Sequence, residues 1–278
     1  MTRQVRTAII PVAGKGTRML PATRAVPKEL LPVLDRPMID FAIDEAINAG
    51  VERLVIVNHP EKEAIRRHVF ADPPVTDDGK LFDVVFASQP VQRGLGHAVL
   101  SARDFVLPGP IAVILPDDLI VGNRAVLTQM IAAYDQTRQG HLVATMSVPL
   151  HEVSRYGILK VTQNCSPLLL ADNVVEKPSV DTAPSSSAIV GRYVLNAEIF
   201  DALEKIAPGA NDEIQLTEAI SATAGAVGLA GYLFEGVRFD CGSKEGLLAA
   251  TLFRAQHDPA YQDILTGQNP IQTVPNAA

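Results

Sequence analysis

Four short clusters in the 278-residue chain carry side chains that could do chemistry. Gly14-Lys15-Gly16-Thr17-Arg18 follows an apolar run, and Asp117-Asp118 follows another. Glu176-Lys177 precedes Pro178, and Asp240 stands in Phe239-Asp240-Cys241-Gly242. Glycines let the backbone approach a ligand closely and turn N–H groups toward phosphate oxygens. Arg18 adds a planar fork for phosphate, and Lys28, on the same proline-stiffened stretch, adds a mobile point charge. A Walker-type loop needs Ser or Thr directly after its Lys, and Gly16 stands there. A dinucleotide fingerprint needs a third glycine where Met19 stands. Asp35 lies near the ribose-binding spacing, but Pro21, Pro27 and Pro32 interrupt the helix such a fold requires. A polyphosphate loop of another kind and a tight turn without ligand are the readings left.

Asp117 and Asp240 are the metal candidates. Two carboxylates about 4 Å apart repel by about 4 kcal/mol at an effective dielectric near 20, so their convergence calls for a cation. A hard divalent ion such as Mg²⁺, shared with substrate phosphates, meets that need; the bland alternative is that each Asp caps its own loop. Taken alone, Glu176-Lys177 reads as an exposed ion pair before a proline turn. His97 has no second ligand at metal spacing, and Cys241 has no base partner.

Charge narrows the partners. The chain carries 24 Lys plus Arg against 31 Asp plus Glu, a net of −7. That balance speaks against nucleic acid and anionic membranes, which demand a basic footprint. Up to Arg36, however, Arg3, Arg6, Lys15, Arg18, Arg24, Lys28 and Arg36 face only Glu29 and Asp35, a local excess suited to a small anion. Cys165 and Cys241 are too few for a disulfide scaffold, and no run of about 18 apolar residues or signal peptide is evident. A cytoplasmic protein with no membrane partner is expected.

The elements that must position these clusters alternate. Strands are expected at 7–13, 53–58, 82–87 and 111–115, with helices at 37–50, 61–69 and 96–105. This rhythm predicts an α/β fold with a mixed, mostly parallel sheet covered by helices. In such sheets ligands sit beyond the carboxyl ends of the strands, where the glycine loop and the Asp117 turn both fall. The second half adds strands at 142–148, 158–161, 173–175 and 188–195, and helices at 197–206, 213–223 and 244–257. Hairpin strands are expected over 227–239, and residues 258–278 show no periodicity. No internal repeat is visible.

Ile10–Leu31 resembles, almost letter for letter, the signature of bacterial UTP–glucose-1-phosphate uridylyltransferases. The resemblance continues through Pro32–Gly50, Gln89–Leu100, Leu115–Ile120, Tyr156–Leu159, Val175–Pro178, Gly191–Leu195, Glu213–Ile220 and Phe239–Gly246, and so spans about residues 7–257. It implies a Rossmann-like, nucleotide-diphospho-sugar transferase fold in one domain, 1–278. Residues 1–122 would form the nucleotide-binding half, 123–257 the sugar-phosphate-binding half, and 258–278 a tail.

It also implies transfer of UMP from UTP to glucose 1-phosphate with Mg²⁺, in a homo-oligomer, dimer or tetramer. Ala13, Gly14, Gly16, Thr17, Arg18, Lys28, Gln89 and Gly94 would bind the nucleotide. Gly157, Glu176, Lys177 and Gly191 would bind the sugar phosphate; Arg18, Lys28, Asp117 and Lys177 would be catalytic; and Asp117 and Asp240 would hold the metal. Asp118 is assigned to the turn behind Asp117, and Lys244 is a weaker candidate. One departure is Phe70–Leu81, a Pro- and Asp-rich turn where most relatives carry a longer charged segment. Related transferases with another nucleotide or sugar, and a regulatory homologue that binds without turnover, are the alternatives.

Overall fold

The computed structural model describes residues 4–76, 78–209 and 212–267; the end of the expected tail, 268–278, lies outside the described residues. Strands are β1 (Thr7–Pro11), β2 (Pro32–Val33), β3 (Arg36–Pro37), β4 (Arg53–Asn58), β5 (Asp83–Ser88), β6 (Ile111–Ile114) and β7 (Asp118–Val121). They continue as β8 (His141–Ser147), β9 (Gly157–Cys165), β10 (Leu168–Glu176), β11 (Ser187–Leu195), β12 (Leu229–Leu233) and β13 (Val237–Asp240). Helices are α1 (Met38–Asn48), α2 (Glu63–Ala71), α3 (Gly94–Ser101) and α4 (Val126–Gln136). The rest are α5 (Ile199–Lys205), α6 (Leu216–Val227), α7 (Lys244–His257) and α8 (Gln262–Leu265).

One nine-stranded sheet runs in the order β5-β4-β1-β6-β11-β8-β12-β10-β9. Strands β5, β4, β1 and β6 pair in parallel, β11 runs antiparallel between β6 and β8, and β12 is parallel to β8. Only β11 and β10 run against the rest, so the mostly parallel expectation holds.

Alternation along the strands feeds two cores. Ala8, Ile10, Leu54 and Ile56 face the helices α1, α2 and α4, while Ile9, Val55 and Val57 face α3, α5 and α6. Burial on both faces is why these strands read as continuous apolar runs. In α1, Ile39, Ala42, Ile43 and Ala46 form the buried stripe, and Gly50 at φ +76° closes the helix end.

The expected hairpin over 227–239 does not form. β12 is inserted in the main sheet between β8 and β10, whereas β13 pairs antiparallel with β7 in a separate two-stranded ribbon. The apolar alternation identified both strands; their partners lie about 60 to 120 residues back in the chain, beyond the reach of local pattern. α4, β7, the short α8 and the two-residue strands β2 and β3 are additional to the elements expected from the sequence.

A buried ion pair binds these layers beneath the Asp117 turn. Arg192 on β11 is 2% exposed and donates through Nε and Nη2 to Glu45 on α1, at 3.0 and 2.7 Å. Its Nη1 reaches the carbonyls of Leu115 (2.9 Å) and Gly191 (3.1 Å). Glu45 Oε1 accepts from Leu127 N, near the start of α4. Breaking one side of such a pair costs about 3–5 kcal/mol, because the other charge is stranded. Among the described residues no helix is long and apolar enough to cross a membrane.

Candidate active site

Beyond the carboxyl end of β6, where β10 ends and β9 begins, lies a cavity of about 420 Å³. Of the residues singled out from the sequence, Arg18, Asp117, Asp118, Gly157, Glu176, Lys177, Gly191 and Asp240 line it.

Asp117 follows β6 in a turn, and Asp240 is the last residue of β13 rather than part of a loop beyond it. The β7–β13 ribbon brings them together, with Asp240 in register opposite Asp118. Gly242 closes the approach. A Cβ there would stand 2.8 Å from Asp117 Oδ2, 3.1 Å from Asp240 Oδ1 and 2.6 Å from Arg18 Nη2. The backbone is bare where the two carboxylates and the guanidinium converge. Arg18 lies 3.9 Å from Asp117 and 3.6 Å from Asp240, and Lys28 Nζ donates to Asp117 Oδ2 at 2.5 Å. Among the described residues no cluster of three or more His, Cys, Asp or Glu side chains could hold a metal. Two carboxylates short of a full cage are the donor set Mg²⁺ takes when substrate phosphates and water complete its shell.

Lys28 and Asp117 are mostly buried, at 17% and 18% side-chain exposure. Burial works against the Lys28 ammonium, but Asp117 and Glu29 outweigh it and hold its pKa above the ordinary lysine value. Burial likewise works against the Asp117 carboxylate, and Lys28 and Arg18 together hold it below the ordinary aspartate value. The pair contributes stability that is lost only as pH falls through the depressed Asp117 pKa or rises through the elevated Lys28 pKa. We expect a pH–rate profile free of any limb from this pair between about pH 5 and about pH 9. A limb in that range that disappears in Lys28→Met would contradict it.

The phosphate loop is built as the sequence demands at one position above all. Gly16 sits at φ +67°, and a Cβ there would lie 3.2 Å from Lys28 Cβ and 3.3 Å from Thr23. Thr23 Oγ1 donates to the Gly16 carbonyl at 2.9 Å, pinning the loop to the segment that carries Lys28. Ala13 is buried, while Gly14 and Thr17 are exposed; with Gly16 they lie on the loop after β1, outside the 420 Å³ cavity. Gln92 Nε2 donates to the Ala13 carbonyl at 2.5 Å. Gln89 is buried and donates to the Gly94 carbonyl (3.2 Å), so its amide shapes the loop that begins α3. Of the early basic excess, Arg6 and Arg36 are held in ion pairs with Glu52 and Asp44, and Arg3 lies outside the described residues. Among the described residues of that group, only Arg18 and Lys28 reach the acids.

The opposite wall comes from the second half. Glu176 ends β10 and accepts from Thr217 Oγ1 at 2.9 Å. Lys177 follows at φ +45°, its amide donating to the Tyr156 carbonyl (2.9 Å) and its ammonium 3.1 Å from Glu176. A non-glycine residue in that backbone region is strained, and such strain collects where a side chain must be aimed. A Cβ on Gly157 would stand 2.9 Å from Thr217, so the glycine keeps that wall thin.

Gly191 has a different neighbour: a Cβ there would lie 2.7 Å from both Asp118 Oδ2 and Leu115 Cβ. Its amide donates to Asp118 Oδ2 at 2.7 Å, and Arg238 closes on Asp118 Oδ1 from the other side. Asp118 therefore fastens β7, β11 and β13 together behind Asp117. Gly191→Ala is expected to cost about 1–3 kcal/mol in urea unfolding, through overpacking against that carboxylate. Unchanged stability would show that the turn has room to move.

Arg155, Tyr156, Tyr193, Gln215, Thr217 and Arg238 also line the cavity and were not among the sequence candidates. Tyr156, Tyr193, Gln215 and Thr217 fall inside the motif islands; Arg155 and Arg238 flank them by one residue. Lys244 opens α7 over a separate apolar groove, away from the acids.

Residues 7–257 match the family described as nucleotidyl transferase. The chain is 40% identical to a UTP–glucose-1-phosphate uridylyltransferase of Bacillus subtilis, over 95% of each. It resembles a solved UDP-glucose pyrophosphorylase complexed with UDP-glucose, with TM-score 0.85 and 34% identity over 92% of this chain and 100% of that one. A UTP-bound UGPase from Acinetobacter baumannii aligns at TM-score 0.83 and 33% identity, over 97% of this chain and 100% of that one.

Proposed function

Because the chain belongs to the nucleotidyl transferase family, we propose that it transfers UMP from UTP to α-D-glucose 1-phosphate, giving UDP-glucose and pyrophosphate. The observation that carries the reading is the convergence of Asp117, Asp240, Arg18 and Lys28 at one end of a cavity whose other wall presents Glu176 and Lys177.

Both substrates are anions, and the sugar phosphate oxygen must reach the α-phosphorus in line with the departing pyrophosphate. Positioning and charge neutralisation supply most of the catalysis in such a transfer. Lys28, kept charged by Asp117, and Arg18 neutralise the triphosphate from the loop side. Lys177, aimed by its strained backbone, neutralises the attacking phosphate and the α-phosphate between them. Glu176, fixed by Thr217, accepts from sugar hydroxyls, while Gly157 lets the ring lie close. Mg²⁺ held by Asp117 and Asp240 would supply Lewis-acid neutralisation of the phosphates.

Pyrophosphate release should require UTP, glucose 1-phosphate and Mg²⁺ together. A panel of nucleotides and sugar 1-phosphates tests the assignment. Turnover with a different pair would reassign the substrates, and no turnover with any pair would sink the enzyme reading.

A further inference from the structure

We propose that Arg155 is a further substrate-binding residue of this site, a ligand of the sugar phosphate, and that its guanidinium competes with a divalent cation for Asp240. The proposal rests on the transferase reading above for its substrate and on the geometry for its residue.

Arg155 ends the short helical turn Leu150–Arg155 that leads through Tyr156 into β9. Its Nη2 lies 3.6 Å from Asp240 Oδ2, the same oxygen that Arg18 Nη1 approaches to 3.6 Å. Arg18 comes from the phosphate loop in the first half and Arg155 from the second, so two guanidiniums from separate parts of the chain share one carboxylate. The other contacts of Arg155 are loose: Glu152 at 3.6 Å, and the Tyr156 ring with its centroid 5.7 Å away. Its side chain is 55% exposed, facing the cavity it lines. Arg238 nearby is the contrast, with 13% exposure and direct bonds to Asp118 and the Tyr156 hydroxyl. That arginine is committed to the ribbon, whereas Arg155 is free to change partner.

Charge balance gives it a partner to change to. A nucleoside triphosphate and a sugar phosphate bring roughly six negative charges at neutral pH. Arg18, Lys28, Lys177, Arg155 and Arg238 supply five positive charges, and Asp117, Asp118, Asp240 and Glu176 take four away. Even a divalent ion leaves the loaded cavity short of neutral, so no cation lining it is superfluous. Arg155 adjoins Tyr156 and Gly157, on the wall where Lys177 stands, and the sugar phosphate is the anion within its sweep. A guanidinium is suited to that role because its planar fork matches phosphate oxygens two at a time.

Opposite signs make the proposal testable on the full chain. Mn²⁺ binding without nucleotide, followed by the EPR signal of the free ion, should be up to about fivefold tighter in Arg155→Gln, since an exposed pairing of this kind is weak. Arg155→Lys, which keeps the charge, should return it toward wild type. In steady-state kinetics Arg155→Gln should raise KM for glucose 1-phosphate about tenfold, with KM for UTP changed less than twofold. Arg155→Lys should recover only part of that loss. Unchanged melting temperatures exclude a folding defect. Unchanged or weaker Mn²⁺ binding in Arg155→Gln overturns the competition, and an unchanged KM for glucose 1-phosphate overturns the phosphate contact. Failure of the transferase reading would look different, because wild type itself would then release no pyrophosphate while the Mn²⁺ comparison could still be read.

Discussion

Asp117→Asn should lower kcat by about 10³-fold, the scale of losing one preorganised charged group. Asparagine keeps the shape and removes the charge. Lys28 then loses the counter-ion that outweighs its burial, and its pKa falls. Two effects therefore arrive together: a site without its acidic ligand, and a largely buried ammonium left with Glu29 alone to offset its burial. The second is a stability effect and separable. Lys28→Met combined with Asp117→Asn should recover part of the lost melting temperature and none of the lost activity. Near-normal kcat in Asp117→Asn would remove this carboxylate from the reaction. Recovery of activity in the double variant would mean that the pair serves the fold alone.

Lys177→Ala is expected to lose about 10²- to 10³-fold in kcat/KM, with little change in stability. The side chain is 56% exposed and its partner is Glu176, so the folded state loses only a weak ion pair. The φ of +45° persists in the alanine variant, because the Tyr156 carbonyl still holds the amide. Lys177→Gly should be more stable than Lys177→Ala by about 1 kcal/mol, since glycine takes up that backbone freely. Both should be equally inactive. An alanine variant of near-normal rate would contradict the role, and a glycine variant no more stable than alanine would remove the strain.

Local chemistry made the acids and the loop legible. Asp117 stands where an apolar strand ends, Arg18 follows two glycines, and Lys28 lies between prolines; each signal sits within a dozen residues. The Gly191 requirement was legible in type but not in reason, because the atom it avoids belongs to Asp118, 73 residues earlier. Arg155 carries no local signature at all, and its meaning comes from an aspartate 85 residues downstream. The same limit explains the sheet. Alternating apolar residues marked β12 and β13 as strands, yet proximity in sequence made them a hairpin, whereas burial of β12 between β8 and β10 is a property of the assembled sheet. β9 outruns its apolar start because its last residues, Thr162–Cys165, are an exposed polar ladder at the sheet edge.

The ribbon of β7 and β13 sets the order of events during synthesis. The glycine loop, Lys28 and the strands β5, β4, β1 and β6 all come from residues up to 114. Asp240 can take its place only after more than a hundred further residues have been made and β13 has found β7. Such long-range pairing is slow to form, because loop closure precedes its reward. The two acids can therefore meet only after the phosphate loop and Lys28 have been synthesised. That single ladder is what places Asp240 at the cavity beside Asp117.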